Sequence, residues 1–486
     1  MSEPAWVEHM IWWRVYPLGF TGVHPWGWGK PAEPEKHKIL HLVEWLDHAA
    51  QLGCNGLALN PIFTSRGHGY DTLDHYHIDP RLGVDEDFDT LVAAAHERGM
   101  KVQLDGVFNH LARGHELVHK AIGDGDGRVI DAEAAQWFRT TTDAEGTVWV
   151  NYFEGHSDLV ELNLESDLVV EYIIDVMRHW LDRGADAWRL DAAYRMSPAF
   201  WAKVLPAVRE THPDVCIEGE VIHGDYPRFV AESTVDTVTQ YQLWKAIWSS
   251  IDNANWWELD WALTAHNEFL DTFIPATFLG NHDTTRIASQ IRDQRHLPHA
   301  LALLATLPGT PTVYSGDEFG LRALKEDRLG GDDAVRPQFP ATPDLLWDER
   351  GNAALTQGMF ADANAQTLAL HQRLLGLRRR HPWLHSARTA KVTLTNSQCV
   401  IALTGTAGGS GEPGEAKKPE QAGRLGEVGE AADRLTLALN LDDKNLFVSG
   451  EHALTQTIDA DDVTRTWARS ANGGQSIAPH GWAILG

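Results

Sequence analysis

The sequence predicts a (β/α)8 TIM barrel, with a small domain B inserted after the third strand and an antiparallel β-sandwich domain at the C-terminus. Three observations predict it. Eight short apolar runs recur along the chain, helix-like segments separate most of them, and the pattern changes after about residue 385. Each run is continuously apolar rather than alternating, as strands buried on both faces are. Strands of that kind alternating with helices close into a parallel barrel with the helices outside.

The first run is MIWWRVY (10–16). HKILHLVEWLDHAAQLG follows with apolar residues at helical spacing and ends at Gly53, a C-cap residue. The second run is CNGLALN (54–60), and DEDFDTLVAAAHERGM repeats the helical design with an acidic first turn and a stop at Gly99. The third is KVQLDGVFN (101–109). The interval to the fourth is the longest of the series and holds GDGDGR and TTTDAEGTVWVNYFEGH, which read as loops and short strands. VVEYIIDVMRHWLDRG restores the helical pattern before Gly184. ADAWRLD (185–191), VCIEGEV (215–221), VDTVTQY (235–241), ATFLGNHD (276–283) and TPTVYSGDE (310–318) complete the eight. Then KVTLTN, CVIALTG, RLTLALNL and WAILG read as antiparallel strands. The expected domains are a barrel over 1–110 and 168–385, an inserted domain over 111–167, and a sandwich over 386–486. Near 405–433 the chain is rich in Gly, Glu, Ala and Lys without a hydrophobic period, which predicts a flexible insertion.

The 486 residues carry 43% hydrophobic content, enough for a large core, and a formal charge of −27. A surface this acidic repels phosphate backbones and anionic lipids, so neither nucleic acid nor a membrane is expected as a partner. Cys54, Cys216 and Cys399 are far apart, without metal-like spacing. The N-terminal MSEPAWVEHMIWWRVYPLGF has no basic n-region or small-residue cleavage site, and no apolar stretch reaches membrane-spanning length. The expectation is a soluble cytoplasmic protein. Twenty tryptophans are a high count; their flat faces suit stacking on sugar rings, although ordinary core accounts for most.

In such a barrel the chemistry sits at the C-terminal ends of the strands. The third run ends in Asp105, then Asn109 and His110; the fourth in Arg189 and Asp191; the fifth in Glu218 and Glu220; the seventh in Asn281, His282 and Asp283. His68, Gly69, Tyr70 and Asp71 follow the second. Arg189 and Asp191, two apart on a strand, face the same interior. A structural ion pair is one reading of them. The other is catalysis: retaining glycoside cleavage needs one carboxylate to attack and one to protonate the leaving oxygen, and an arginine beside Asp191 would hold a nucleophile ionised. The general acid needs a less cationic setting, which the glutamates of the fifth run supply. A divalent-metal hydrolase is the rival, though no HExxH, paired HxH or lysine-rich phosphate loop is present.

DGVFNH (105–110), GADAWRLD (184–191), EGEV (218–221) and FLGNHD (278–283) resemble, in order, the four signature regions of the α-amylase family, glycoside hydrolase family 13. GCNGLALNPIF (53–63), HGYDTLDHYHIDPRLG (68–83), LVELN (159–163) and GTPTVYSGDEFG (309–320) match as well. LVELN and GEVIH lean toward its cyclodextrinase and neopullulanase members. The resemblance implies Asp191 as nucleophile, Glu220 as acid/base and Asp283 as transition-state stabiliser. It places Tyr70, His68, Asp71, His110, Arg189, His282 and Arg286 around the substrate, with Asp105 and Arg286 bracing the site. Glu218, on the same strand face as Glu220, is the alternative acid. Ala-Ala-Tyr-Arg follows Asp191 where starch amylases carry a calcium-binding His. Neither there nor in the loop GFTGVHPWGWGKPAEPEKHK is a calcium set recognisable, so no metal or other cofactor is expected. The implied substrates are malto-oligosaccharides or cyclic or branched α-glucans with α-1,4 or α-1,6 links, and the implied assembly is a homodimer. Hydrolysis is the first reading. A glucanotransferase or trehalose-forming isomerase with the same intermediate is the second, and a catalytically inactive sugar-binding relative the third.

Overall fold

The computed structural model describes residues 3–23, 37–328, 330–355, 359–405, 433–448, 457–460 and 474–486. Eight parallel strands form the centre: β1 (Trp12–Val15), β2 (Gly56–Leu59), β3 (Lys101–Gly106), β4 (Ala187–Leu190), β5 (Cys216–Gly219), β6 (Thr237–Val238), β7 (Ala276–Phe278) and β8 (Thr310–Tyr314). Each lies inside one of the eight apolar runs. The pairing order is β6-β5-β4-β3-β2-β1-β8-β7. A single parallel bridge between Thr239 and Ala276 closes the ring between β6 and β7. Every residue of these strands is buried except Lys101, because helices cover the outside and side chains fill the interior.

A helix follows each strand: α1 (Val43–Leu52), α2 (Asp85–Glu97), α3 (Asp167–Asp182), α4 (Pro198–Thr211), α5 (Tyr226–Ser233), α6 (Tyr241–Asp252) with α7 (Trp256–Phe269), α8 (Leu297–Thr306) and α9 (Ala365–Arg380). On α1 the buried residues are Trp45, Leu46, His48, Ala49 and Leu52, one apolar stripe at helical spacing. Gly53 ends that helix at φ 107°, a left-handed conformation that glycine adopts without Cβ strain.

Between β3 and α3 the chain forms two small antiparallel pairs, His110–Ala112 with Leu159–Glu161 and Thr140–Thr142 with Val148–Val150. It also forms a short helix, Glu116–Ile122, which the turn-rich sequence had not suggested. The first pair extends the strand-three end across the barrel mouth.

The C-terminal sheet is antiparallel, in the order Arg388–Leu394, Gln398–Thr404, Arg434–Asn440, Trp482–Leu485, Thr457–Ala460. Its alternation is apolar on both faces. Cys399, Ile401, Leu403, Leu435, Leu437 and Leu439 join the barrel's core. Val400 and Ala438 point the other way, into a second core with Leu446, Val448 and Ile477 of a smaller strand pair. Period-two side chains thus let one sheet seal two interfaces. The Gly/Glu-rich insertion lies, over 406–432, outside the described residues, as does 24–36 of the loop after β1. Among the described residues no helix is long and apolar enough to cross a membrane. The three cysteines are buried thiols without partners in disulfides.

Candidate active site

Strand register sets the first relationship. Arg189 on β4 pairs with Asp105 on β3 and with Glu218 on β5. Side chains at one level of a parallel barrel meet across neighbouring strands. Arg189 Nη1 lies 2.7 Å from both Asp105 carboxylate oxygens and 3.2 Å from Asp191 Oδ1. Its Nη2 lies 2.7 Å from Glu220 Oε1. One buried guanidinium therefore serves three carboxylates. Burial opposes its charge, but Asp105 and Glu220 outweigh burial and hold it protonated.

That division corrects the expectation of an arginine dedicated to Asp191. Its tightest contacts go to Asp105 and Glu220, and Asp105 also accepts from Asn60 Nδ2 at 3.1 Å and the Tyr70 hydroxyl at 3.0 Å. Burial and the nearby Glu220 charge push the Asp191 carboxyl well above the usual range, and Arg189 opposes them only in part. Asp191 therefore holds its proton more tightly than an isolated carboxyl does.

Glu220 accepts at Oε2 from the Ala192 amide at 2.9 Å and at Oε1 from the Tyr241 hydroxyl at 3.2 Å. Ala192 adopts φ 46°, left-handed for a residue with a Cβ. Such strain costs about 1–2 kcal/mol and here accompanies an amide aimed at the acid. Asn281 Nδ2 holds the Tyr241 hydroxyl at 2.9 Å.

Asp283 has a separate setting. Its Oδ2 lies 3.0 Å from His282 Nε2 and its Oδ1 2.7 Å from Arg336 Nη2. Burial would raise its carboxyl, but His282 and Arg336 override burial and hold it well below the usual range. Burial also lowers His282, so near neutrality that ring is neutral and contributes a hydrogen bond, while Arg336 supplies the charge. His282 Nε2 also meets the Tyr70 hydroxyl, and the rings of Tyr70 and Tyr16 lie parallel to it, with centroids at 5.3 and 6.0 Å.

The remaining sequence-predicted residues divide. Asp71 is buried beside His68, whose Nδ1 accepts from the Tyr70 amide at 3.2 Å. His110 Nε2 meets the Tyr70 carbonyl at 2.8 Å, and burial lowers its pKa to about 4. Its Nε2 is engaged with the backbone. Arg286 was expected around the substrate and as a brace of the site, and its contacts are those of a brace. It is buried, with Nη1 on the Ser315 carbonyl and Asp317 and Nη2 on the Val335 carbonyl, all within 2.9 Å. It acts through the backbone beside Arg336. Glu218 points into the barrel beneath the mouth, 2.9 Å from Arg14 Nη2 and 3.4 Å from Gln103 Nε2.

Sequence reasoning missed Asn60, Tyr241 and Arg336. Tyr241 ends the sixth run, so the strand-end rule applied there would have found it. Arg336 follows a single turn, Asp333–Val335, in irregular chain after β8, and no local pattern announces it.

Around Asn109 a cavity is lined by Glu161, Asn163, Arg139 and Arg195. Two guanidinium groups face Glu161, at 3.4 and 3.8 Å. Calcium takes six to eight oxygen ligands; of the two carboxylates on this cavity, Glu161 is already flanked by two arginines, and Glu165 is the other.

Residues 39–354 match the α-amylase catalytic domain family. The chain is 30% identical over 345 residues to a maltogenic α-amylase of Bacillus acidopullulyticus, covering 66% of this chain and 58% of that protein. It is 29% identical over 342 residues to an intracellular maltogenic amylase of Bacillus subtilis, covering 66% and 57% respectively. It thus spans under two thirds of the length of these curated relatives. A ligand-free cyclic α-maltosyl-(1→6)-maltose hydrolase from Arthrobacter globiformis superposes with a TM-score of 0.73 at 24% identity, over 100% of this chain and 99% of that one. With the four signature regions set around one barrel mouth, and a family match over most of the barrel, the chain belongs to the α-amylase family.

Proposed function

We propose that this protein is a retaining α-glucoside hydrolase acting on short or cyclic α-glucans. The observation that carries the reading is the sharing of Arg189 by Asp105, Asp191 and Glu220 while Asp283 is held apart by Arg336. This sets two carboxyl groups within reach of one guanidinium and holds a third carboxylate ionised apart from them. Double displacement needs that combination.

In the first step an Asp191 oxygen attacks the anomeric carbon. The bond to the glycosidic oxygen breaks, and that oxygen takes the proton from Glu220. In the second step Glu220 takes a proton from water, the water oxygen attacks the same carbon, and the Asp191 ester is released. Glu220 must therefore be protonated and Asp191 ionised when attack begins. Asp283 then stabilises the oxocarbenium-like state. Glu218 is engaged with Arg14 and Gln103, which supports Glu220 as the acid.

The substrate class rests on the names of the relatives, a maltogenic amylase and a cyclic maltosyl-maltose hydrolase. An intracellular site of action rests on the Bacillus subtilis relative, and a homodimer on the family resemblance. Light scattering of the purified protein tests the last. The reaction is tested by a proton NMR time course of the anomeric region with maltotriose, panose, pullulan, a cyclodextrin and trehalose, each offered singly. New reducing ends, α anomer first, are expected. Changed glycosidic signals at constant reducing ends would instead mark a transferase or isomerase.

A further inference from the structure

Three side chains that the proposed reaction does not use meet where the barrel touches the C-terminal sheet. Asp293 and His296 stand three residues apart, in the turn that leads into α8. His480 comes from the turn before the last strand, Trp482–Leu485, and holds φ 57°. One ligand atom from each lies within 4.8 Å of the other two. His296 Nε2 and His480 Nδ1 are 3.0 Å apart, with the rings overlapping at 5.2 Å.

A second observation comes from the far side of His480. Its Nε2 lies 2.8 Å from Asp443 Oδ1. A carboxylate that takes one ring proton leaves the other nitrogen with a free lone pair, and metal-binding histidines are oriented in this way. Here the lone pair left at Nδ1 faces His296 and Asp293. Two imidazoles and one carboxylate form a donor set of the zinc class, and the fourth position of a tetrahedron can be water. Water has access, since the Asp293 side chain is 39% exposed. Arg295 pairs with Asp293, with Nη2 at 2.6 Å from Oδ2, and competes with a cation for it.

We propose that Asp293, His296 and His480 form a site for a divalent transition metal of the zinc class, clasping the barrel to the C-terminal domain. On binding, the His296 proton moves from Nε2 to Nδ1 or to solvent, and Nε2 becomes a ligand. The site is structural and shares no residue with the carboxylates of the barrel mouth.

The test uses the full chain without a histidine tag, dialysed against EDTA and titrated with zinc chloride by calorimetry, with Tm read on the same samples. One zinc equivalent and a raised Tm are expected. His480→Ala should remove both. Asp443→Asn keeps all three ligands and should weaken binding about 10–100-fold. If His480→Ala does not fold, Asp293→Asn serves in its place and should also weaken binding. Absence of a stoichiometric zinc equivalent in the wild type overturns the proposal. So does undiminished binding in the ligand variants, which would place the zinc on other histidines.

Discussion

Arg336 Nη2 stands 2.7 Å from Asp283 Oδ1, and its guanidinium lies 4.7 Å over the ring of Tyr16. Its Nε holds the His282 carbonyl at 2.9 Å. A residue from irregular chain after the last strand thus fixes both the charge and the position of a carboxylate from β7's end. Arg286 and the Tyr314 hydroxyl hold the neighbouring Val335 carbonyl, each at 2.9 Å, and so support the loop from behind.

Replacing Arg336 with alanine should lower kcat/KM on the order of 10²-fold, the scale of losing one preorganised charge partner. The titration of Asp283 distinguishes this from simple damage. The wild-type Asp283 carboxyl is depressed, so it stays ionised to low pH and loses its charge only as pH falls through that depressed value. Without Arg336 the value rises, and the Asp283 carboxyl itself, followed by NMR titration, should protonate at higher pH. An unmoved Asp283 titration with lowered activity would reduce Arg336 to a structural role.

Glu220→Gln should reduce turnover of natural glucosides by about 10²–10⁴-fold, as expected on losing a general acid. Aryl glucosides with good leaving groups should lose less in the first step. Glu218→Gln should behave differently. It leaves the buried Arg14 without its anion, a change worth about 3–5 kcal/mol of stability, and the protein that remains folded should keep its kcat. A folded, inactive Glu218→Gln beside an active Glu220→Gln would reverse the assignment.

Asp191→Asn should abolish turnover and stabilise the free enzyme. The folded-state value of Asp191 is raised by burial and by Glu220, so the folded protein binds the proton more tightly than the unfolded chain. By linkage this carboxyl costs stability as pH rises from about 4 through its raised value. The variant's Tm should exceed that of the wild type at neutral pH, and the gap should close toward pH 4. A Tm difference that does not vary with pH would contradict the burial argument.

Tyr241→Phe removes the hydroxyl that lies 3.2 Å from Glu220 Oε1. A hydrogen bond to a charged group is worth about 1.5–3 kcal/mol. The loss loosens the placement of Glu220, and kcat should fall by about tenfold. Kinetics with one malto-oligosaccharide checks this.

Much of this was legible in one dimension. Strand-end carboxylates are local features, because a parallel strand that runs apolar and then turns acidic reports its own exit from the core. Asp105, Asp191, Glu220 and Asp283 each stand at such an exit, and their order along the chain fixes which strand presents each. The helix stops at Gly53, Gly99 and Gly184 were readable for the same reason: a backbone that must turn left-handed selects glycine where the turn occurs.

What the tertiary structure alone decided is how charge is shared. Sequence places Arg189 two residues from Asp191, but strand register sets it level with Asp105, and its Nη2 reaches Glu220 beyond the end of the next strand, so its charge is divided three ways. Arg336 stands 53 residues from Asp283 in the chain and 2.7 Å from it in space. His110 Nε2 and the Arg286 guanidinium meet backbone carbonyls. Periodicity reports which face of an element is buried. It does not report which partner a buried polar group finds, because that depends on contacts between residues distant in sequence.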